Sequence, residues 1–300
     1  MKKIQPIIFC FLMLLAITAM AQEYTIGILV KHNATDFYER WLMHAAYLEK
    51  SIGESFVIKP LKVSEVDKAI SSGNIDFLLT SPTVYVEMKE KYKISAIVTM
   101  IKHTKYGAKL SQFGGVIFTS ASSDINTLED IKGKTFIAVN KTSLSGYQMA
   151  LKEFKDNDIV LENVTADITF VGTQRKVAEM VLNRPGTIGT VRTNVLENMA
   201  LTGAISLKNI KIINQKKESS FPYLLSTTLY PQWAMAMLPK TDKIVAQKVS
   251  NALKKMKSNQ LAIEMAGIAG WKMALDYSKL EIMLRSIGTL KHEDTIKPES

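Results

Sequence analysis

The chain is 300 residues long, 47% apolar, 8% aromatic and 22% charged, with one cysteine and a formal net charge of +10. That length and apolar fraction suffice for one large domain or two of ordinary size, and they exclude low-complexity disorder and a disulfide-stapled miniature fold. The only long apolar stretch lies at the extreme N-terminus, which argues against a polytopic membrane protein. The excess of Lys and Arg leaves nucleic acid, a membrane surface or small anions as partners.

The first feature in chain order is a targeting segment. Lys2 and Lys3 precede an uncharged run from Ile4 to Met20, and Ala19-Met20-Ala21 gives the small-x-small pattern before Gln22. This is the layout of a secretory signal peptide spanning 1–21, with cleavage expected after Ala21. The run is short for a spanning helix. Cys10 lies inside it, without the small residues that precede a lipid-modified cysteine. Loss of residues 1–21 removes two lysines and leaves 279 residues at +8 with no thiol. The expected product is exported, and export disfavours nucleic acid as a partner.

Tyr24 to Val30 reads as a buried strand, followed by a polar stretch and a helix through Trp41, Ala45 and Leu48. Phe56 to Leu61 reads as a strand, and Val63, Val66 and Ile70 recur as one helix face. Gly73-Asn74 stops that helix before a short strand from Ile75 to Leu79. Lys134 to Val139 and Thr165 to Val171 are further strands, each followed by a helical pattern, through Leu144, Tyr147, Leu151 and Phe154 and through Val177, Met180 and Val181. Two helices close the chain, around Val245 to Met256 and Leu280 to Ile287. The alternation predicts an α/β fold with mostly parallel sheet and helices on both faces. His103 to Gln112 and Asn214 to Pro222 break the pattern as polar joins. Two lobes are therefore expected, one from 22–110 plus 220–300 and the other from 111–219.

Enzyme signatures are missing: no GxGxxG, Walker loop, GxSxG elbow or HExxH occurs. His32, His44, His103 and His292 show no paired metal-ligand spacing, and His44 reads as an ordinary helix residue. Glu87, Glu90 and Asp156 lie among lysines on faces that read as solvated. The sequence thus points to no catalytic residue, no metal and no cofactor. It points instead to two hydroxyl-rich helix starts. Thr142, Ser143, Ser145 and Gly146 follow the strand that ends at Val139, and Thr80 and Ser81 precede Pro82. Such hydroxyls cap helices, and the same helix starts bind anions through free N–H groups and the positive end of the dipole. In open α/β sheets ligands sit beyond the carboxyl ends of strands, where both segments lie.

Six segments in order give the chain a resemblance. They are Asp76–Pro82, Phe113–Phe118, Leu128–Lys134, Thr142–Tyr147, Gly189–Thr193 and Ser226–Pro231. Together they resemble the phosphate/phosphite/phosphonate family of periplasmic solute-binding proteins and the related sensor domains of bacterial histidine kinases. The resemblance spans nearly all of the chain beyond the signal segment. It implies a type II two-lobed clamp with two crossings, which closes on a ligand without chemistry. The ligand would then be handed to an ABC permease or reported to a membrane histidine kinase. It also implies that Thr142, Ser143, Ser145 and Gly146 hold the ligand's oxygens from one lobe, and Thr80, Ser81 and Tyr85 from the other. Family members that bind phosphonates carry an acidic residue where this chain has Thr187, which argues against an aminophosphonate. Arg192 nearby supplies positive charge for a plain oxyanion. The expected protein is a monomeric, exported oxyanion binder for an ABC importer, the alternative being a soluble sensing partner of a histidine kinase. A secreted α/β hydrolase or transferase lacks its motifs. A basic protein adhering to acidic polymers would need lysines on one face, whereas only Lys216-Lys217 and Lys254–Lys257 cluster.

Overall fold

The computed structural model describes residues 22–30, 36–104, 107–257 and 260–290. The signal segment with Cys10, and also His32 and His292, lie outside the described residues. The strands are β1 (Glu23–Leu29), β2 (Ser55–Leu61), β3 (Phe77–Thr80), β4 (Ser95–His103), β5 (Lys109–Leu110), β6 (Gln112–Phe113) and β7 (Gly115–Ser120). They continue with β8 (Thr135–Ala138), β9 (Asp167–Phe170), β10 (Thr187–Arg192), β11 (Ile210–Ile213), β12 (Tyr230–Pro231), β13 (Ala234–Met237) and β14 (Gly270–Met273). The α-helices are α1 (Phe37–Ile52), α2 (Val63–Ser71), α3 (Pro82–Tyr92), α4 (Met149–Lys155) and α5 (Leu161–Val164). After them come α6 (Gln174–Asn183), α7 (Val195–Leu201), α8 (Lys243–Lys255), α9 (Leu261–Ala266) and α10 (Ser278–Ser286).

Two sheets form two lobes. The first runs β14-β4-β13-β3-β1-β2, with β5 beside β4, and the second runs β11-β7-β10-β8-β9. Side-chain alternation explains why each sheet is covered on both faces. On β3, Phe77 and Leu79 enter one buried cluster while Leu78 enters the other. On β7, Ile117 enters one cluster while Val116 and Phe118 enter its opposite. Helix faces complete these cores: Phe37, Trp41, His44, Ala45 and Leu48 of α1 are buried, as are Val245, Val249 and Leu253 of α8. Asp242 opens α8 by accepting from the Ile244 and Val245 N–H groups at 2.8 and 2.9 Å.

Both sheets are mixed rather than mostly parallel as expected: β1 pairs parallel with β2 and β3, and β8 pairs parallel with β9 and β10, while the other pairings are antiparallel, some of them where the chain changes lobe. β7, the first strand of the second sheet in chain order, is antiparallel to β10 and β11. β13, which follows the return crossing, is antiparallel to β3 and β4. Between the lobes, β6 and β12 pair with each other, Phe113 against Tyr230 and Gln112 against Pro231. β6 and β7 are separated at Gly114, where a Cβ would come within 2.5 Å of Leu225 Cδ1. Segment 223–228 lies along the second sheet: the Ser226 N–H donates to Gly115 O, and the Ser226 hydroxyl accepts from the Ile117 N–H.

Glu87 and Glu90 are half-buried rather than fully solvated. Burial raises the Glu87 carboxyl above the ordinary range, and Glu90 pairs with Arg285 of α10 at 2.9 Å. Their α3 face is covered by the last helix, a long-range contact that local lysine content does not reveal.

Candidate functional site

The parallel strands of both sheets end toward the crossing strands, and Arg192, the last residue of β10, reaches that junction. Its guanidinium stacks on the Phe113 ring of β6, Cζ lying 3.8 Å from the ring centre. One guanidinium nitrogen donates to Gln232 Oε1 at 3.0 Å, while the Arg192 N–H donates to Gln174 Oε1 at 2.9 Å. A strand of lobe 2, a crossing strand and the return segment thus meet at one side chain. Desolvation lowers the guanidinium to about 10, still charged at neutral pH. Among the described residues no ion pair links Arg192 to a carboxylate. A desolvated, unneutralised cation is costly to hold, and an anion relieves that cost.

Arg192 lines a cavity of about 220 Å³ between the lobes. Lys102 and His103 at the end of β4 and Gln232 form one side, and Thr193 and Asn194 the other. Asn194 has left-handed backbone, φ 70°, and its side-chain oxygen is buried without a hydrogen-bond partner. Thr190 Oγ1, two residues before Arg192 on β10, is likewise buried and unpartnered. Thr80 Oγ1 at the end of β3 is a third such group. Buried polar side chains are seldom left unbonded, so the Asn194 oxygen in the cavity wall, and the Thr190 and Thr80 hydroxyls near the ends of their strands, are each open to a polar partner.

The two hydroxyl-rich segments differ in how freely their oxygens stand. Ser81 and Ser143 both occupy positions before a helix start, yet neither side chain makes a capping bond. Their hydroxyls are therefore not consumed as caps. Thr142 Oγ1 instead donates to Asn140 Oδ1 at 3.0 Å, within the turn. Ser145 is buried, and its carbonyl lies 3.4 Å from where a Cβ on Gly115 would stand, with Thr190 Oγ1 at 3.6 Å. Gly114-Gly115 thus lets β7 pass close to Ser145, Thr190 and Thr227. Gly146 is required because a Cβ there would overlap Val139 Cγ2 and stand 2.7 Å from Ser143 Oγ. The helix opens with a wide turn over Leu144–Gln148, the Gln148 N–H bonding Ser143 O. Leu144 of this loop shares a buried cluster with Val84, Tyr85, Phe113 and Tyr230.

Tyr85 stands apart from this group. Its hydroxyl accepts from the Ala96 N–H at 3.1 Å, and its ring packs 4.7 Å from Tyr277. Ala96 belongs to the start of β4, opposite the cavity end, so Tyr85 braces α3 against the sheet. Thr187 is distant for a similar reason. It starts β10 while Arg192 ends it, about 16 Å away at strand rise, and its hydroxyl donates to Arg184 O at 2.8 Å. The threonine in place of an acidic residue therefore bears on a turn at the far end of the strand, not on the cavity. Phe113 and Thr190 lie within segments that carried the resemblance but were given no role there, and Gln232 and Asn194 carry no local signal; the pairing of distant strands is what gives these residues their setting.

The two sheets, the paired crossing strands and the site between them define a type II periplasmic-binding-protein clamp. Over residues 26–278 the chain matches the family described as ABC transporter, phosphonate, periplasmic substrate-binding protein, and it belongs to that family. It is 27% identical over 272 residues to the tetrathionate sensor histidine kinase TtrS of Salmonella typhimurium, covering 90% of this chain. The chain spans 44% of that relative's length. In structure it resembles PhnD1 of Prochlorococcus marinus in complex with methylphosphonate, with a TM-score of 0.61 and 12% identity over 90% of this chain and 99% of that one. It also resembles a Xanthomonas citri protein solved bound to ATP, with a TM-score of 0.67 and 14% identity over 92% of this chain and all of the other. The family is one of substrate-binding proteins, and among the described residues no helix is long and apolar enough to cross a membrane.

Proposed function

We propose that this chain is an exported, non-enzymatic solute-binding protein that captures a small oxyanion between its lobes. The observation that carries this reading is Arg192: a desolvated guanidinium at the lobe junction, stacked on Phe113 and bonded to a neutral glutamine. Ser81, Ser143 and Ser145, with the hydroxyls of Thr80 and Thr190, supply the ligand's remaining hydrogen bonds, and Thr142 and Gly146 shape the loop. Tyr85 acts from behind, holding α3. Export follows cleavage after Ala21, and the protein works as a monomer. Lobe boundaries belong at the paired crossing strands, so the return join moves from 220 to Tyr230, because Ser226 bonds to β7. Hydroxyls, N–H groups and a guanidinium serve phosphorus and sulfur oxyanions alike, and phosphate, phosphite, phosphonates and tetrathionate are the probes to compare.

Delivery to an ABC importer is the reading the family supports. A second reading, a soluble sensing partner of a histidine kinase, is favoured by the similarity to a tetrathionate sensor kinase over nearly the whole chain. A thermal-shift screen against these anions tests capture. A ligand at a hundred times its dissociation constant adds about 2.7 kcal/mol, which raises the melting temperature by about 5 °C in a chain this size. No shift with any small anion would overturn the reading. Deleting the gene then separates the two roles: loss of uptake marks an importer, and loss of a transcriptional response with uptake intact marks a sensor.

A further inference from the structure

One face of the first sheet is covered by a layer of three helices, α1, α8 and α9, which share the buried cluster beneath them. The Tyr47 hydroxyl of α1 donates to Ala252 O of α8 at 3.1 Å, and Arg40 of α1 donates to Ala266 O of α9 at 3.1 Å. The outward face of α8 carries Lys243, Lys248, Lys254 and Lys255, all exposed, around Ile244, which is 69% exposed. By helical spacing Lys243 and Lys254 lie to one side of Ile244, and Lys248 and Lys255 to the other. Lys257 follows directly and is also exposed. In the sequence only Lys254–Lys257 form a run; the helix adds Lys243 and Lys248 to the same surface.

A cation on a helix surface is stabilised by an acid one turn away. Lys152 with Asp156, Arg175 with Glu179 and Arg285 with Glu281 form such pairs on α4, α6 and α10. Between Lys243 and Lys257 the chain has no Asp or Glu. Among the described residues none of these five lysines makes an ion pair. Asp242 is engaged in capping the Ile244 and Val245 N–H groups. The helix dipole favours Lys254 and Lys255 in the last turn but disfavours Lys243 in the first, so helix stability does not account for the set. On α1, Glu39 and Glu49 are balanced by Arg40 and Lys50, and α9 adds only Glu264. The excess charge of the layer is therefore that of α8.

Exposed apolar side chains accompany the charge: Tyr38 and Leu42 on α1, and Leu261 and Met265 on α9. Lysines beside singly exposed apolar chains suit an anionic lipid surface, where the cations meet headgroups and the apolar chains enter the interface. A second copy of this face would set lysines against lysines and repel. A fixed protein partner would gather the apolar chains into one groove, whereas these stand apart over three helices. None of these residues lines the Arg192 cavity, so contact through this face leaves that cavity open.

We propose that the α8 face docks this protein on an anionic membrane surface, its five lysines against acidic lipid headgroups and Ile244 in the interface. The test is co-sedimentation with vesicles of phosphatidylcholine, alone or mixed in equal parts with phosphatidylglycerol. It uses purified protein freed of its N-terminal apolar run by export, as confirmed by mass. Binding should require phosphatidylglycerol and weaken as salt is added. Each lysine contributes about fivefold, so the combined Lys243→Gln, Lys248→Gln, Lys254→Gln and Lys255→Gln variant should lose about 10²- to 10³-fold. A control carrying Lys132→Gln, Lys176→Gln, Lys208→Gln and Lys217→Gln removes the same charge from exposed positions of the second lobe and should keep most of the binding. Ile244→Gln should cost about tenfold at unchanged charge; an unchanged affinity there overturns the apolar contact. All of these side chains are exposed, and thermal denaturation checks that each variant is folded. Binding that ignores phosphatidylglycerol, or equal losses in the two lysine variants, overturns the proposal. Retention on immobilised polyglutamate without vesicle binding, lost in the α8 variant, also overturns it and assigns the face to an acidic polypeptide.

Discussion

Arg192→Met separates function from stability by the sign of its two effects. The guanidinium is desolvated, makes one side-chain hydrogen bond to a neutral amide, and lacks a carboxylate partner among the described residues. A hydrogen bond from a charged group to an anion contributes about 1.5–3 kcal/mol, so its loss should weaken oxyanion binding by about 10- to 150-fold. In the ligand-free protein the same substitution removes an uncompensated cation and leaves a side chain of similar length against Phe113. Such replacements are neutral or stabilising by about 1–4 kcal/mol. The variant should therefore melt at or above the parent temperature without ligand, and lose most of its ligand-induced shift. Titration calorimetry and thermal denaturation of both proteins, with and without ligand, measure the two terms. Unchanged affinity in a folded Arg192→Met protein would refute the assignment. A large fall in ligand-free melting temperature would refute the claim that the arginine is held uncompensated.

Three further outcomes are expected. Ser143→Ala combined with Ser145→Ala should weaken oxyanion binding by about 1–3 kcal/mol through lost oxygen contacts, read by the same titration; an unaltered dissociation constant in a folded protein excludes these serines. Gly146→Ala should destabilise by about 1–3 kcal/mol, because the new methyl overlaps Val139 Cγ2 and crowds Ser143 Oγ, seen as a lower urea midpoint at constant m-value. His44 is held neutral by burial, its imidazole lowered from 6.5 to about 4, and Nε2 accepts from the Trp271 indole N–H at 3.3 Å. Its folded value is depressed, so its contribution is complete above 6.5 and is lost as pH falls through that value toward 4, by about 3 kcal/mol in all. Urea titrations from pH 7 to pH 4 should show this slope in the parent protein and lose it in His44→Leu.

Much of the architecture was legible because it is written in short-range periodicity. The alternation on β1 and β3 and the helical spacing of Trp41, Ala45 and Leu48 follow from which residues must face a core, and segments of ten residues display that. Hydroxyls before Pro82 and before the Leu144 turn were legible for a similar reason, since a helix start leaves N–H groups that small polar side chains accompany. The role of each hydroxyl was not legible. Ser81 and Ser143 do not cap their helices, while Thr142 bonds within its own turn, and only the backbone path distinguishes them. Tyr85 shared the motif but turns to the sheet, because its helix packs against the start of β4 and against Tyr277.

By itself the sequence determined an alternating α/β chain with a secretory layout, a family membership spread over six modest motifs, and a set of hydroxyls at strand ends. It also supplied Arg192, but not its setting. That Arg192 stacks on Phe113, bonds to Gln232 and shares a cavity with Lys102 is decided by residues up to 130 positions apart, brought together by two crossing strands. Trp41 and Trp233 meet around a second cavity in the same way. Local preferences fix which face of an element is apolar. Only the packing of two sheets around a paired crossing decides which polar groups are left buried without partners.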